Sequence, residues 1–427
     1  RRRPVNGPWT PKPPGCKRQR RGLTETVNRV SVRCCVAGGG PAGIMLGLLL
    51  ARAGVEVLVL EKHADFLRDF RGDTIHPSTL EVMHELGLLD DLLKRPHQKA
   101  PRLKAQFGNL ALTVADFTRL PTQCGFIAFM PQWDFLNFLA ERGARYPTFS
   151  LRMQAEVTGL IEDAGRVVGL QATTPDGPLE VRANLIVAAD GRHSVIRAQA
   201  GLTVDEFGAP MDVLWFRLSR RPGDPEDPRA RFDIGRIFIM LNRGDYWQCG
   251  FVIPKGSLEQ LHEQGLQTFR DSVAQLAPFA ADRVGELSDW NAIKLLTVQV
   301  DRLPRWYRPG LLCIGDAAHA MSPVGGVGIN LAIQDAVATA NLLAAPLRED
   351  RLTTDDLRRV QRRREWPTRL TQRLQMFIQN RVIRSVLGST GRLAPPLLLR
   401  LIARFPLLTR IPARLIGIGF RPEHVQH

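Results

Sequence analysis

The chain has few cysteines, and none of them is placed to form a metal site or a disulfide framework. Among 427 residues there are six, and no two have metal-ligand spacing. Cys34, Cys35 and Cys313 fall within apolar strand patterns, where cysteine usually acts as a small buried hydrophobe. The sequence therefore predicts a reducing compartment, taken as the cytoplasm, and it predicts no bound metal.

Long apolar runs are also missing, because no stretch approaches the ~18–20 residues of a membrane span. The segment from Ala394 to Phe420 mixes Leu and Ile with evenly spaced Arg, a composition typical of interfacial amphipathic helices. Several interrupting prolines favour helices that pack on the main body instead. Peripheral contact with a membrane stays open as the less favoured alternative.

Acidic residues are nearly absent from the first thirty positions, where Glu25 stands against nine lysines and arginines. This stretch carries half of the formal net charge of +16 and is rich in proline, so it cannot bury enough apolar surface to fold. It also lacks the apolar core of a secretory signal. We predict a disordered basic leader over residues 1–30. Nucleic-acid binding or organelle targeting is the less favoured interpretation, and no nucleic-acid partner is expected.

A glycine-rich turn within Ser31–Lys62 has the pattern of a dinucleotide site. An apolar strand runs into the turn, and a helix follows it. Gly38 permits the tight turn, Gly40 lets the backbone approach a pyrophosphate, and Gly43 lets the helix sit close to the strand. The helix N-terminus then offers free N–H groups and a partial positive charge to the phosphates.

The residues after this turn complete the pattern. The helix Ile44–Ala53 contains no proline, and the buried strand Val57–Leu60 places Glu61 at its carboxyl end. An acid ~20 residues past the glycines can accept hydrogen bonds from a ribose 2′-OH. An ordinary βαβ unit would explain the glycines but not this acid.

Two later strands also end at an aspartate. The apolar strand from Leu185 runs into Asp190-Gly191, which is also a common sequence for a simple type I turn. The strand from Leu311 runs into Gly315-Asp316. Asp316 is suited to accept hydrogen bonds from a polyol hydroxyl.

A glycine-rich loop and an alanine-rich helix follow Asp316. The loop runs from Pro323 to Gly328, and the helix continues from Ile329 and Asn330. The dipole of that helix can stabilise an anion at its N-terminus, such as the charged pyrimidine edge of a reduced flavin. His319 lies just before the loop as a weak candidate base, although a role in shaping the turn is favoured.

Aromatic residues collect in a separate region of predicted strands. The candidates are Met211–Arg217, Arg231–Leu241 and Tyr246–Ile253. A sheet with these side chains is suited to a flat, apolar ligand, although aromatics on a sheet are more often plain core.

The three motifs together resemble the FAD-dependent aromatic hydroxylases of the p-hydroxybenzoate hydroxylase type, which are flavoprotein monooxygenases. The resemblance covers roughly Val32 to Ala345. It implies an α/β fold in which a Rossmann-like FAD-binding domain is interleaved with an antiparallel-sheet substrate domain and followed by C-terminal helices. The boundaries that we predict are 31–101, 128–210 and 297–345 for the FAD-binding domain, 102–127 and 211–296 for the substrate domain, and 346–427 for the helical segment.

The same resemblance implies the residues that contact FAD. Glu61 would hold the adenosine ribose, Arg71 and Gln132 the pyrophosphate and ribityl region, and Asp316 a ribityl hydroxyl. The backbone of Val157 would meet the adenine, and the Asp190-Gly191 turn is associated with both FAD and NAD(P)H. The full set is Gly38, Gly40, Pro41, Ala42, Gly43, Glu61, Lys62, Arg71, Gln132, Val157, Asp190, Gly191, Gly315, Asp316, Pro323, Gly328, Ile329 and Asn330.

The chemistry implied by this family is hydroxylation of an aromatic or polyketide/quinone-like substrate. NADH or NADPH reduces FAD, O2 adds to the flavin C4a position, and the resulting hydroperoxide hydroxylates an electron-rich ring, so no catalytic side chain is required. A flavin-dependent reductase of a prenyl or lipid substrate is one alternative. A flavin-dependent halogenase is another, but the stretch from Trp247 to Pro254 departs from the usual halogenase motif.

Overall fold

The structure is a computed structural model that describes residues 27–67, 74–108, 110–389 and 397–426. Residues 1–26 of the predicted leader and the predicted FAD contact Arg71 lie outside these ranges. The described strands are β1 (Asn28–Ala37), β2 (Val57–Leu60), β3 (Thr74–Ile75), β4 (Gln98–Ala100), β5 (Arg102–Phe107), β6 (Leu110–Asp116), β7 (Ile127–Phe129), β8 (Phe149–Arg152), β9 (Glu156–Asp163), β10 (Arg166–Thr174), β11 (Gly177–Ala188), β12 (Asp205–Glu206), β13 (Met211–Ser219), β14 (Arg229–Asp233), β15 (Arg236–Asn242), β16 (Tyr246–Pro254), β17 (Lys294–Leu296), β18 (Asp301–Arg302), β19 (Tyr307–Arg308) and β20 (Leu311–Cys313). The described α-helices are α1 (Pro41–Arg52), α2 (Pro77–Glu85), α3 (Leu89–Leu92), α4 (Gln132–Gly143), α5 (Val195–Gln199), α6 (Leu258–Gln264), α7 (Leu266–Leu276), α8 (Gly328–Arg348), α9 (Thr354–Ile378), α10 (Arg384–Leu387), α11 (Leu397–Arg404) and α12 (Arg410–Gly417).

A largely parallel sheet organises the first part of the fold, with the strand order β19-β20-β11-β1-β2-β8. β1 lies between β11 and β2, and Cys34 pairs with Leu185 on one side and Val57 on the other. Strands of a sheet covered on both faces are apolar throughout rather than alternating. β2 is accordingly buried at every position.

β1 begins at Asn28, whereas the sequence predicts that the disordered leader continues to residue 30. Asn28 to Val30 pair in parallel with Leu179 to Val181 of β11, a strand of twelve residues that extends beyond the apolar part of β1. The prediction of disorder is therefore wrong for residues 28–30, because backbone pairing continues where the apolar pattern has already stopped.

Helices α1 and α8 pack on each other and on β1, α4 packs on α1, and α9 packs on α8. Every residue of α1 from Ala42 to Ala51 is buried.

In the described part of the chain, the segment Val324–Arg348 is long and apolar enough to cross a membrane, with a mean hydropathy of 1.3. Its most apolar window is 67% buried inside the protein, as expected for a core helix.

A second sheet has the strand order β17-β13-β16-β15-β14-β5-β6. Its core side chains pack on α7, with Phe216 and Phe251 against Phe269. The predicted single strand Arg231–Leu241 is wrong, since β14 and β15 are separated by a tight turn at Gly235 with φ +69°. The α/β fold with an antiparallel sheet and C-terminal helices is confirmed, while the numerical domain boundaries stay a prediction.

The C-terminal helices pack over both sheets. α9 begins with a capping box in which the Thr353 hydroxyl accepts from the Asp356 N–H and the Asp356 carboxylate accepts from the Thr353 N–H. α10 packs on β15 and β16, whereas α11 and α12 pack on β6. The helical segment thus spans the two regions that the sequence assigns to FAD and substrate.

Candidate cofactor site

The first glycine turn is shaped by close backbone contacts. Gly38 has φ +106°, and a Cβ there would lie 2.4 Å from the Ala189 carbonyl oxygen. A Cβ on Gly43 would lie 1.9 Å from the Gly38 carbonyl oxygen, so the start of α1 touches the end of β1. Only glycine fits at these two positions.

Gly40 differs, because no described atom lies within 4 Å of the position that its Cβ would take. It is the N-cap of α1, with Pro41 as the first helical residue, no side-chain cap and no acidic residue in the first turn. The Cβ position at this helix end is therefore open among the described residues, and no side chain caps its first backbone N–H groups. Such a helix end is suited to bind an anionic group.

Glu61 lies beside this turn. Its Oε2 accepts from the Gly39 N–H at 2.9 Å, and its Oε1 accepts from the His63 N–H at 3.1 Å. Its backbone carbonyl accepts from the Ala155 N–H at 2.9 Å, which brings the start of β9, where Val157 lies, alongside Glu61. Lys62 follows with an exposed side chain.

We call the strand-to-turn junctions at Gly38, Asp190 and Gly315 the first, second and third corners. The second corner, at Asp190-Gly191, contacts the first corner. A Cβ on Gly38 would lie 2.8 Å from the Asp190 Cα. Burial raises the pKa of Asp190, although hydrogen bonds from Ser194 and nearby backbone oppose this shift. Among the described residues its Oδ1 has no hydrogen-bond partner although it is buried. A buried, unpaired carboxylate oxygen at this corner points to a missing donor.

The third corner, at Gly315-Asp316, also meets the first. Gly315 has φ +59°, and its Cβ would lie 3.2 Å from the Ala42 Cβ of α1 and 3.3 Å from the Ala332 Cβ of α8. The Asp316 side chain is 36% exposed, and its Oδ2 lies 3.7 Å from Arg192 Nη2. Arg197 donates to the Ala317 carbonyl at 3.1 Å, so the second and third corners are joined as well.

The loop before α8 is held against the segment that precedes α2. Gly325 and Gly326 both have positive φ, and Thr74 Oγ1 donates to the Gly326 carbonyl at 2.9 Å. The Asn330 side chain accepts from the His76 N–H at 2.9 Å and donates to the Thr74 carbonyl at 3.0 Å. The Asn330 side chain is thus occupied in holding this loop, and only its backbone is left to face a ligand.

The N-terminus of α8 has neither a side-chain cap nor an acidic residue in its first turn. Gly328 opens the helix, and no described atom lies closer than 3.8 Å to its Cβ position. Ile329 beside it is buried. Pro323 is the N-cap of the short 3-10 turn Val324–Gly326 that leads into the helix.

His319 lies in a buried ionic cluster. Its Nε2 is 2.6 Å from Asp335 Oδ2, the same oxygen that accepts from the Gly315 N–H at 3.0 Å. Arg364 Nε donates to Asp335 Oδ1 at 3.0 Å, and Arg364 Nη1 donates to Glu423 Oε1 at 3.2 Å. Burial acts to raise the pKa of Asp335, but the charges and hydrogen bonds of His319 and Arg364 hold it below its usual value. His319 and the third corner are thus linked through the same carboxylate oxygen of Asp335.

The sequence missed several residues that hold the site. Asp335 and Arg364 gave no signal, because they lie inside ordinary helical patterns of α8 and α9. His76 is fully buried at the start of α2, with Nδ1 2.7 Å from the Ile416 carbonyl, and burial lowers its pKa to about 4 against the opposing effect of that bond. Gln132 begins α4 shortly after the end of β7. β7 pairs with β3, and β3 follows the undescribed stretch that contains Arg71.

Comparisons with known proteins decide what this site holds. Residues 31–373 match the family model described as FAD binding domain. The chain belongs to this FAD-binding family. The resemblance to FAD-dependent aromatic-hydroxylase-type monooxygenases is confirmed, and FAD is the cofactor of the enzyme.

Individual relatives are similar to this chain over most of its length. The enzyme is 32% identical to 6-methylpretetramide 4-monooxygenase of Streptomyces rimosus, over 89% of this chain and 91% of that protein. It is 31% identical to dialkyldecalin synthase of Streptomyces rugosporus, over 73% of this chain and 64% of that protein. The crystal structure of p-nitrophenol 4-monooxygenase from Pseudomonas putida shares the fold, with a TM-score of 0.73, 21% identity and coverage of 92% of this chain and 100% of that chain.

The residues present fit FAD. The open backbone at Gly40 fits a pyrophosphate at the uncapped start of α1, and the unpaired Asp190 Oδ1 lies where a bound group with donors would meet it. Glu61 beside Gly39 and Asp316 at the third corner would then contact different parts of an extended molecule. Among the described residues, no group of three or more His, Cys, Asp or Glu is placed to hold a metal ion.

Proposed function

We propose that the enzyme hydroxylates an aromatic ring of a polyketide-like or quinone-like substrate, with NADH or NADPH as the reductant and O2 as the oxidant. The observation that carries the proposal is the meeting of three strand-to-turn corners around one open helix N-terminus, in a chain that matches a pretetramide monooxygenase over nearly its whole length. Substrates of this kind offer electron-rich rings to an electrophilic oxygen.

The roles that we propose for the chain are binding and positioning. The turn from Gly38 to Gly43 would receive the pyrophosphate, Glu61 the adenosine ribose, and Asp316 a ribityl hydroxyl. FAD, when bound, supplies the transfer of electrons from NAD(P)H and the activation of O2. The N-terminus of α8 would stabilise negative charge at the flavin pyrimidine edge through its partial positive charge.

Three further FAD contacts are proposed from the family resemblance and from their places in the fold. Val157 would meet the adenine, since β9 begins beside Glu61. Gln132 would reach the cofactor from the start of α4. Arg71, in the undescribed stretch, keeps the role that the family resemblance implies. We propose a positioning role rather than a catalytic one for His319.

The face of the second sheet away from α7 is the proposed substrate surface. Phe216, Phe238, Trp247 and Phe251 pack in the core against α7 and are unsuited to hold a ligand. Trp215 points to the other face and covers Gly250. A Cβ on Gly250 would lie 3.0 Å from the Trp215 ring. That face also contains Met211 and contacts Val324 of the loop before α8, while Val386 of α10 covers another part of it. A flat substrate there would lie between the sheet and the proposed flavin position.

The alternatives have less support. Trp247, which begins the stretch compared with the halogenase motif, is fully buried, and its Nε1 donates to Asp224 at 3.0 Å. It therefore belongs to the core of the second sheet. A reductase of prenyl or lipid substrates would use the same FAD site without inserting oxygen.

The test combines a spectrum with product analysis. We expect purified protein to be yellow, to oxidise NADH or NADPH faster when an aromatic polyketide is added, and to place isotopically labelled O2 in the product. A colourless protein that does not bind added FAD would contradict the cofactor assignment. Turnover that leaves no label in the product would instead favour a reductase or a synthase.

We further propose that the enzyme works in the cytoplasm, since the five described cysteines are free and buried.

A further inference from the structure

The C-terminal part of the chain contains a long stretch without acidic residues. Between Glu365 and Glu423 there are 57 residues with no Asp, Glu or Lys, and ten of them are Arg. Elsewhere in the described chain acidic and basic residues are interspersed and form many ion pairs. This stretch therefore gives the molecule one strongly positive region.

Exposed apolar side chains concentrate in the same stretch. Six large apolar side chains of the described residues are more than half exposed, and five of them lie between Trp366 and Ile411. Three of these five fall close together where α11 turns into α12: Phe405 at 55%, Leu407 at 67% and Ile411 at 59%. Leu401, one helical turn before Phe405, is 44% exposed.

We call residues 400–414 the C-terminal tip. Its inner side is anchored, since Ile402, Thr409 and Ala413 are buried and both helices pack on β6. Just beyond the tip, a Cβ on Gly417 would lie 3.0 Å from the Phe117 ring. The outer apolar side chains are thus held on a packed element, and they stay exposed although the helices that carry them are docked.

Arginines are interleaved with these apolar side chains along the chain. The four in the tip are exposed, and none forms an ion pair within the described part of the chain; they are Arg400, Arg404, Arg410 and Arg414. Exposed apolar side chains interleaved with unpaired cations are the pattern of an element that lies in a membrane interface, where the apolar groups enter the acyl region and the cations meet lipid phosphates.

We propose that the C-terminal tip docks on an anionic lipid bilayer. A second copy of the chain is a poor occupant, because a symmetric contact would bring two sets of arginines together. Nucleic acid would satisfy the arginines but would leave Phe405, Leu407 and Ile411 exposed to water. A bilayer with anionic headgroups satisfies both sets of groups at once.

A fluorescent label at the tip tests the proposal directly. The described cysteines are all buried, so the full chain with Cys16→Ser and Leu407→Cys offers one exposed thiol for an environment-sensitive dye. Leu295→Cys, on β17 with 42% exposure, provides the matched control. With phosphatidylcholine vesicles containing phosphatidylglycerol, we expect a blue shift at position 407 and none at position 295.

Paired variants separate the two parts of the docking surface. We expect Arg404→Gln/Arg410→Gln to weaken binding to the anionic vesicles by roughly 25-fold, because each arginine near such a surface contributes a few-fold in affinity. Leu407→Ser/Ile411→Ser should weaken binding by at least tenfold, whereas Lys294→Gln/Leu295→Ser should change it less than twofold. The basic leader is present in every variant and so cancels from these comparisons.

Several outcomes would overturn the proposal. If position 407 shows no blue shift while the protein still binds vesicles, another basic segment is the docking element. If the apolar variant binds as tightly as the unaltered chain, the attraction is to polyanions in general, and equal binding to single-stranded DNA would identify that behaviour. Equal binding to vesicles of phosphatidylcholine alone would also contradict the role of the arginines.

Discussion

At the scale of single residues, Gly40 and Gly43 stand three positions apart and have opposite surroundings. A methyl group at Gly43 meets the Gly38 carbonyl oxygen at 1.9 Å, whereas one at Gly40 meets no described atom within 4 Å. We expect Gly43→Ala to lower the free energy of unfolding by about 3 kcal/mol, at the upper end for overpacking. Gly40→Ala should leave stability nearly unchanged but weaken FAD binding roughly 30- to 150-fold, since it blocks a close backbone approach.

Urea unfolding of the FAD-free protein and titration with FAD measure the two effects separately. Equal effects of the two variants on stability would contradict the geometry. Equal FAD affinity of Gly40→Ala and the unaltered chain would mean that the pyrophosphate lies elsewhere.

Asp316 is the residue that the proposed ribityl contact depends on. Its carboxylate is partly exposed and its closest described cation, Arg192, is 3.7 Å away, so little in the fold depends on it. We expect Asp316→Ala to weaken FAD binding by about 10- to 150-fold, corresponding to roughly 1.5–3 kcal/mol for a hydrogen bond to a charged group. Asp163→Ala, at an exposed hairpin, should retain full affinity. Unchanged affinity of the Asp316 variant would show that the third corner does not hold the cofactor.

His76 makes stability depend on pH. Its pKa is lowered from 6.5 to about 4 by burial, so the native state keeps the ring neutral while the unfolded chain protonates it first. Above pH 6.5 the ring is neutral in both states, and His76 does not oppose folding. As the pH falls from 6.5 toward 4, protonation of the unfolded chain lowers the free energy of unfolding, by about 2–3 kcal/mol at pH 4.5. We expect His76→Asn to remove this part of the pH dependence in urea unfolding at pH 7 and 4.5. His84→Asn, exposed on the same helix, should leave it unchanged, and the prediction fails if the two variants show the same slope.

At the scale of elements, α8 and α9 are joined by the ion pair of Asp335 and Arg364. Both side chains are buried, with at most 1% exposed, so removing Arg364 takes a guanidinium away from a buried carboxylate and leaves it only its contact with His319. We expect Arg364→Met to cost about 3 kcal/mol in urea unfolding and to weaken FAD binding, because Asp335 also holds the Gly315 N–H. Arg358→Met removes an exposed pair with Asp355 on the same helix and should cost less than about 1 kcal/mol. Similar losses in the two variants would contradict the role of the buried cluster.

Elements with a regular pattern were predictable from the sequence, whereas their ends and their contacts were not. β2 and the start of α1 follow from an apolar run and a glycine turn, and both are where the pattern places them. The turn at Gly235 was missed because the apolar pattern continues through it. Ser78 and Glu81 have the spacing of a capping box, yet the N-cap of α2 is His76, and Ser78 is buried inside the first turn.

The site shows the same limit. Turns that require glycine, such as those at Gly38 and Gly315, are visible in the sequence because both residues have positive φ and close neighbours. Asp335 and His76 act through tertiary contacts with residues far along the chain, at Arg364 and Ile416, and no local pattern marks such partners. Asn330 is one of the predicted FAD contacts, and the Thr74–Thr79 segment satisfies its side chain, so the predicted contact falls to its backbone.

At the scale of the whole molecule, the last residues of the chain fasten three distant segments. Glu423 pairs with Arg363 and Arg364 of α9, and its N–H donates to Gln334 of α8. The Val425 N–H donates to Glu85 at the end of α2 at 2.8 Å. The tail therefore closes over the helices that carry the buried cluster and, through Asp335, over the Gly315 corner.

Ending the chain at Pro422 tests this connection. The truncated protein would leave Arg364 with only Asp335 as a charged partner, so we expect a lower unfolding midpoint and a faster loss of FAD on dilution. Glu423→Ala should reproduce most of both effects, because it removes the one buried anion of the tail. His424→Ala removes a solvent-exposed pair with Glu85 and should shift the free energy of unfolding by less than about 1 kcal/mol. If truncation costs no more than His424→Ala, the tail lies on the surface without holding the cofactor corner, and the cluster is complete within α8 and α9.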